Sequence, residues 1–337
     1  MTRRRWLWPA FFAQMIFVVS CSSGQEPGEE KAAPEQVRQG EDPLSLGTPS
    51  DDAPVRLDID VRVTTPSAAP RPLKILLSND DGYNDPGIQA MKRGLRAAGH
   101  AVTLVAPAQD RSGSSVSVTG PAPVNVSAQA DGDLAVEGSP ATSVLIGLAV
   151  LEARGEKPDL IVSGPNFGFD GGPSAPYSGT LGAATAGLIR GVPSFAVMAE
   201  PIVRDKTDPA FIAHVERVAA FTARLIERLE TKAKDGALLP QGVGLKLGYP
   251  ALPVDKIAGV NLVTQGKTGL FHLVYKETSP GVFSSAKAPF DPVSGDENGE
   301  VVNYRAGYIT VMPFVSDLTA NPRARHQVRH LLGQIKP

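Results

Sequence analysis

Leu73-Lys74-Ile75-Leu76-Leu77-Ser78-Asn79-Asp80-Asp81-Gly82 is the stretch on which the fold turns. Its first five residues form the short apolar run of a buried strand. Past Gly82, Ile88, Met91 and Leu95 recur at helical spacing, Gly99 stops the helix, and residues 101–106 supply a second apolar run. Strand, helix and strand in that order make a βαβ unit. Two more buried strands are expected at residues 159–163 and 194–198, with helices at about 142–153 and 180–189. This alternation predicts an α/β fold, a doubly wound parallel sheet of Rossmann-like type covered by helices on both faces. Residues 211–234 read as a long amphipathic helix. From 243 to 313, strand signals broken by Gly and Pro predict a C-terminal mixed β extension, and a final helix is expected near 323–332. No internal repeat is present.

Upstream the chain changes character. Arg3, Arg4 and Arg5 precede the apolar run Trp6 to Val19, the pattern of a secretory signal. Val18-Val19-Ser20-Cys21 resembles the lipobox of bacterial lipoproteins, in which the cysteine is acylated and becomes the new N-terminus. Cys21 is the only cysteine, so it has no intrachain disulfide partner. An ordinary cleaved signal peptide is the competing reading; an uncleaved anchor is poorly served by so short, Pro-interrupted a run. Ser22, standing where an Asp would retain a lipoprotein in the inner membrane, implies the periplasmic face of an outer membrane. Residues 22–72 are polar and Pro-rich, as expected of a disordered tether. Within them Val55, Leu57, Ile59, Val61 and Val63 alternate with other residues, which predicts a short edge strand. The expected organisation is therefore a signal at 1–21, a tether at 22–72 and a catalytic domain at 73–337.

Composition narrows the function classes. With 337 residues, 42% of them hydrophobic, the chain has enough apolar side chains for one large core or two small ones. A net charge of −2 provides no basic surface for a polyanion, so long nucleic acid is excluded as a partner.

In a doubly wound sheet the chemistry belongs beyond the carboxyl ends of the strands. There a dinucleotide-binding protein would carry G-x-G-x-x-G after its first strand; this chain carries Asp80 and Asp81 instead. Two adjacent carboxylates repel a phosphate unless they hold a hard divalent cation such as Mg²⁺ or Mn²⁺. Further oxygen donors stand at other strand ends: the Ser-rich loop Asp110-Arg111-Ser112-Gly113-Ser114-Ser115-Val116-Ser117, and Asn166 in Gly164-Pro165-Asn166-Phe167-Gly168. Taken singly, each is ordinary turn chemistry. Taken together, they share one edge of the sheet. Tyr177-Ser178-Gly179-Thr180 then precedes a helix whose free N–H groups suit a phosphate, although Ser178 or Thr180 could equally serve as a plain N-cap.

The motifs S-N-D-D-G-x-x-x-x-G-I, A-P-x-x-x-R-S-G-x-S-x-S-x-T, P-D-L-I-V-S-G-x-N-x-G, Y-S-G-T and G-Y-I-T-V-x-P, running in that order from Leu73 to Pro313, resemble the SurE family of nucleotidases and acid phosphatases. The resemblance implies one divalent metal ion per subunit, held by Asp80, Asp81, Ser112 and Asn166. It implies a phosphate pocket lined by Asn79, Ser117, Ser178, Gly179 and Thr180, and small phosphomonoester substrates, nucleoside 5′- and 3′-monophosphates. It also implies dimers or tetramers that exchange C-terminal segments.

The departures lie around the substrate. The family's G-T-P-A-D-C is Gly138-Ser139-Pro140-Ala141-Thr142-Ser143, which loses an acid. Its Asn-Leu-Gly-Asp-Asp stretch is Asp170-Gly171-Gly172-Pro173-Ser174, and its N-x-N-x-P is Lys246-Leu247-Gly248-Tyr249-Pro250. The reaction class is therefore better marked than the substrate. Attack by a metal-activated water and direct attack by Asp80 or Asp81 both remain open. His100, at a helix-to-strand turn, reads as structural. Two other function classes compete: a non-catalytic nucleotide- or metal-binding lipoprotein on the same fold, and a glycosyltransferase with a metal-binding Asp pair. The latter leaves the loops at Arg111 and Ser178 without a role.

Overall fold

Lys74–Ser78 alternates its side chains between two cores, as the two-residue period of a strand requires. In the computed structural model, which describes residues 54–62, 71–233 and 236–333, Ile75 and Leu77 enter one hydrophobic cluster with Met91 and Leu225. Leu76 enters a second, with Val144 and Leu148, on the opposite face of the sheet. Burying each such side chain contributes roughly 1.5–3 kcal/mol. The expected signal, Cys21 and most of the tether lie outside the described residues.

In chain order the elements are β1 (Val55–Leu57), β2 (Lys74–Ser78), α1 (Pro86–Ala97), β3 (Ala101–Pro107), β4 (Val126–Ala128), β5 (Leu134–Val136), α2 (Pro140–Ala153), β6 (Leu160–Phe167) and α3 (Gly179–Ile189). There follow β7 (Ser194–Ala199), α4 (Pro209–Lys232), β8 (Val243–Tyr249), β9 (Gly259–Leu262), β10 (Phe271–Ser279), β11 (Val282–Pro289), α5 (Glu300–Arg305), β12 (Tyr308–Val315) and α6 (Pro322–Leu332). The expected helices and strands are all present, with bounds shifted by a few residues.

Among the described residues one 10-stranded sheet runs β1-β9-β12-β8-β7-β6-β2-β3-β5-β4, and β10 and β11 pair as a separate hairpin. From β8 through β7, β6 and β2 to β3 the pairing is parallel throughout. The chain winds outward one way from β2 to β3 and the other way from β6 to β7. Between β2 and β6 therefore lies the switch point, the place where such sheets open a crevice.

The C-terminal strands form the expected mixed β extension, which continues the central sheet: β12 is antiparallel to β8 and parallel to β9. Their side chains account for this, since β8 is buried along nearly its whole length and could not stand as a solvent-facing edge. The edge is taken instead by β1, antiparallel on β9; β1 covers Val55–Leu57, the start of the alternating stretch that runs to Val63 in the sequence.

Local sequence sets the helix starts. Asp85, Ser139, Ser178 and Asp208 each accept a backbone N–H of the first turn of α1, α2, α3 and α4 respectively. His100 is structural, as expected: its Nδ1 accepts the Leu73 N–H at 3.2 Å, and burial pushes its pKa down.

Candidate active site

Asp80 and Asp81 follow β2 after Asn79 and sit at the switch point. Asp80 is only 1% exposed. Its neighbours explain its position. The Thr180 hydroxyl at the start of α3 donates a short hydrogen bond to Asp80 Oδ1, and the Asp80 carbonyl accepts the Arg111 N–H at 2.7 Å. Three loops thus converge on one residue. Gly179 permits the approach of α3, because a Cβ there would lie 2.8 Å from both Asp80 Oδ2 and Ser114 Oγ.

Asp81 faces the other side. Its Oδ2 accepts the Phe167 N–H at 3.0 Å, and its Oδ1 lies 3.2 Å from Lys206 Nζ. Asn166, near the end of β6, donates its Nδ2 to the Gly168 carbonyl at 3.3 Å and to Asp170 Oδ2 at 3.4 Å. Using the amide nitrogen this way leaves Oδ1 as its donor for a cation. The strand reaches this position through a register shift at Gly164 (φ 116°), where a Cβ would meet the Val197 carbonyl oxygen at 2.3 Å. Only glycine fits there.

Electrostatics show a deficit of positive charge. Burial, then the neighbouring Asp81, raises Asp80 from 3.8 to about 7 despite the Thr180 hydrogen bond, and Asp170 adds to the rise. Burial, then Asp85, raises Asp81 to about 6 against the lowering effect of Lys206. Two carboxylates held so close to neutrality by desolvation and mutual repulsion are what a divalent cation would relieve.

The donor set fits a hard ion. Two carboxylates are joined by Asn166 Oδ1 and by Ser114 Oγ, a buried hydroxyl with no hydrogen-bond partner. Among the described residues no cluster of three or more His, Cys, Asp or Glu forms a metal cage, so any ion here would draw on these neutral oxygens as well.

Other expected residues are placed as follows. Ser112 is exposed on the loop beside Asp80, its N–H donating to Asp110 Oδ1 at 2.8 Å, while Ser114 is partly buried and has its hydroxyl oxygen turned inward. Asn79 turns back to brace the turn, donating to the Gly82 carbonyl at 3.1 Å and accepting the Gly82 N–H at 3.3 Å. Ser178 caps α3 by accepting the Leu181 N–H at 3.3 Å. Ser117 is exposed and its carbonyl accepts the Ser139 hydroxyl at 2.5 Å.

The missing acid has a structural replacement. Thr142 Oγ1 accepts the Thr119 N–H at 2.7 Å and bonds Ser139 Oγ at 2.8 Å, tying the Ser-rich loop to α2. Residues not expected from sequence are Asp170, Lys206 and the buried pair Lys246–Glu300. In that pair Lys246 Nζ lies 2.5 Å from Glu300 Oε2, and Glu300 Oε1 accepts the Gly172 N–H at 2.8 Å, fastening the loop behind Asp170. Asp170 and Lys246 stood out only as departures from a motif; nothing around Lys206 in sequence marks it.

A doubly wound α/β protein with an acidic, oxygen-lined crevice at its switch point, facing a helix N-terminus, is the class that fold and site define. Residues 75–271 match the family model for survival protein SurE. The 5′-nucleotidase SurE of Lawsonia intracellularis is 32% identical over 265 residues, covering 77% of this chain and 99% of that protein. Its counterpart from Methylobacillus flagellatus is 35% identical over 269 residues, covering 77% of this chain and 100% of that one. The crystal structure of the SurE protein from Aquifex aeolicus superposes with a TM-score of 0.62 at 28% identity, over 77% of this chain and 100% of that one. The chain belongs to the SurE family.

Proposed function

We propose that this protein is a divalent-metal-dependent phosphomonoesterase that hydrolyses nucleoside 5′- and 3′-monophosphates to nucleoside and phosphate. The observation that carries the reading is the pair Asp80-Asp81, buried and short of positive charge, opposite the N-terminus of α3. Relatives named 5′-nucleotidase support it. One Mg²⁺ or Mn²⁺ per subunit, held by Asp80, Asp81, Ser112 and Asn166, with the Ser114 hydroxyl as a further oxygen in the same loop, would supply a Lewis acid and lower the pKa of an attacking water. Thr180 holds Asp80 in place for this role, and its hydrogen bond lowers that carboxylate's power as a nucleophile. The first N–H groups of α3 are suited to phosphate oxygens.

Thr142 and Ser143 are buried in structural hydrogen bonds rather than offered to a substrate. Weak base discrimination is therefore expected. Phosphate release from a panel of purine and pyrimidine monophosphates and an aryl phosphate should vary by less than about tenfold in kcat/KM, equivalent to about 1.4 kcal/mol. A catalytically dead protein that still binds nucleotide would instead support the binding-protein alternative.

Asn166 is a neutral donor, so Asn166→Ala is expected to weaken the site less than loss of an aspartate. Activity should fall roughly 10–100-fold, the scale of tuning a metal site, and recover in part as Mn²⁺ is raised. An Asn166→Ala protein whose rate ignores Mn²⁺ would count against ligation by that residue.

Dimers or tetramers, and export as a lipoprotein, complete the proposal. Among the described residues no helix is long and apolar enough to cross a membrane, so a membrane attachment of the described chain would have to come from elsewhere. Two acyl chains on Cys21 would anchor stably where one is marginal. Cys21→Ser should move the protein from the detergent-extracted to the aqueous fraction, or leave it unprocessed, with activity per molecule unchanged. A wild-type protein already in the aqueous fraction, with its N-terminus away from Cys21, refutes the lipid anchor.

A further inference from the structure

The segment between β7 and α4 lays one basic side chain across the acidic site. Lys206 Nζ lies 3.2 Å from Asp81 Oδ1, makes a short contact with Asp85 Oδ2, and stands 4.4 Å from the centre of the Phe167 ring. Its side chain is 33% exposed. Among the described residues it is the one cation in an ion pair with either member of the Asp80-Asp81 pair. Both carboxylates it touches are pinned from behind. Asp81 Oδ2 is engaged by the Phe167 N–H at 3.0 Å, and Asp85 Oδ1 caps α1 through the Gly87 N–H at 2.7 Å.

We propose that Lys206 is a tethered counter-cation that takes Asp81 when the divalent ion is absent and competes with that ion for the carboxylate, so that this lysine sets the metal affinity. The inference rests on the metal reading given above. With Oδ2 already accepting a backbone N–H, Oδ1 is the oxygen left without a fixed backbone partner for an ion, and there the ammonium lies at 3.2 Å. An ammonium and a divalent cation on one oxygen repel each other. Asp85 offers the lysine a second carboxylate, so it can release Asp81 without losing a charge partner. The Phe167 face steadies the ammonium close to both.

This arrangement spares the metal-free protein an unpaired carboxylate beside Asp80, at the cost of weaker binding. It makes Lys206 a positioning residue that acts through Asp81.

The test is Mn²⁺ binding to metal-stripped protein, followed by calorimetry or by the magnetic resonance signal of free Mn²⁺, for wild type, Lys206→Met and Lys206→Arg. Methionine keeps an apolar stem against Phe167 while removing the charge. Lys206→Met should lower the dissociation constant about tenfold, the effect of one partly buried charge pair, and Lys206→Arg should stay near wild type. The metal-free Lys206→Met protein should also melt lower than wild type at pH 8, and saturating Mn²⁺ should raise its melting temperature more than that of wild type. Lys206→Gln serves in its place if the methionine variant does not fold. Unchanged or weaker Mn²⁺ binding in the neutral variant, with wild type binding normally, overturns the role of the lysine alone. If wild type binds no Mn²⁺ at all, the metal reading fails and this proposal falls with it.

Discussion

Asp80→Asn is expected to lower kcat/KM for a nucleoside monophosphate by at least about a thousandfold, equivalent to roughly 4 kcal/mol of transition-state stabilisation. Asp81→Asn should do the same. Each change removes one of the two ligand charges that make the site attractive to a cation, and the neutral oxygens of Asn166 and Ser114 cannot replace it. The fold should survive, and in one respect improve. Asp80 is raised from 3.8 to about 7, so the folded metal-free protein binds a proton that the unfolded chain has released. Its stability therefore falls as pH climbs from 3.8 toward about 7, and Asp81, raised to about 6, adds to the fall over the lower part of that window. Asparagine at position 80 carries no such penalty, and it keeps an acceptor for Thr180. In EDTA at pH 8 the Asp80→Asn protein should melt several degrees above wild type, and the gap should close near pH 4. Thermal melts across that range check the sign. A mutant less stable than wild type at pH 8, or one that turns over normally, removes Asp80 from the site.

The second large effect is expected from a methyl group. Gly182 lies inside α3, where alanine in an open helix would be about 1 kcal/mol more stable. Here a Cβ would meet the Ser115 carbonyl oxygen at 1.9 Å and its carbon at 2.4 Å. Backbone cannot rotate aside as a side chain can. Ser115 is further committed, with φ at 54° and its N–H and hydroxyl donating to the Tyr177 and Pro176 carbonyls at 3.2 and 2.7 Å. To restore normal contact at about 3.5 Å, the loop must lift off α3 by more than an ångström, carrying Ser114 away from Asp80. A displacement of that size costs on the order of a hundredfold in rate. Gly182→Ala should therefore lose about two orders of magnitude in kcat and about 1–3 kcal/mol of stability, with far-UV circular dichroism unchanged. Wild-type activity in that variant would mean that the Ser-rich loop does not need its seat on α3.

Strand ends, and the residues just beyond them, are the part of the candidate site that is legible in the sequence. The apolar run at Leu73–Leu77 and the helical period of Ile88, Met91 and Leu95 identify the βαβ unit, and the position of Asp80 beyond it follows from parallel topology. Asn166 is legible for the same reason. What sequence could not show is contact between loops. Lys206 sits in a stretch without periodicity, and only the return of the chain from β7 to α4 lays it on Asp81. The roles of Ser178 and Asn79 depend on which backbone groups lie within reach. Both side chains prove to brace the chain locally, Ser178 at the start of α3 and Asn79 at the turn after β2. The strand signals after Val243 mark the mixed β extension, but the order and direction of β8, β9 and β12 are not written in a short apolar run; pairing sets them.

Asp80 and Asp81 are proposed to hold a divalent ion needed for phosphate-ester hydrolysis. The most direct measurement is phosphate release from a nucleoside 5′-monophosphate by metal-stripped protein, titrated with Mn²⁺ or Mg²⁺ at fixed substrate. The expected result is a negligible rate in EDTA and recovery that saturates at one ion per subunit, with no recovery in the Asp80→Asn protein. Hydrolysis that proceeds undiminished in EDTA, or that Mn²⁺ restores equally in Asp80→Asn, would contradict it.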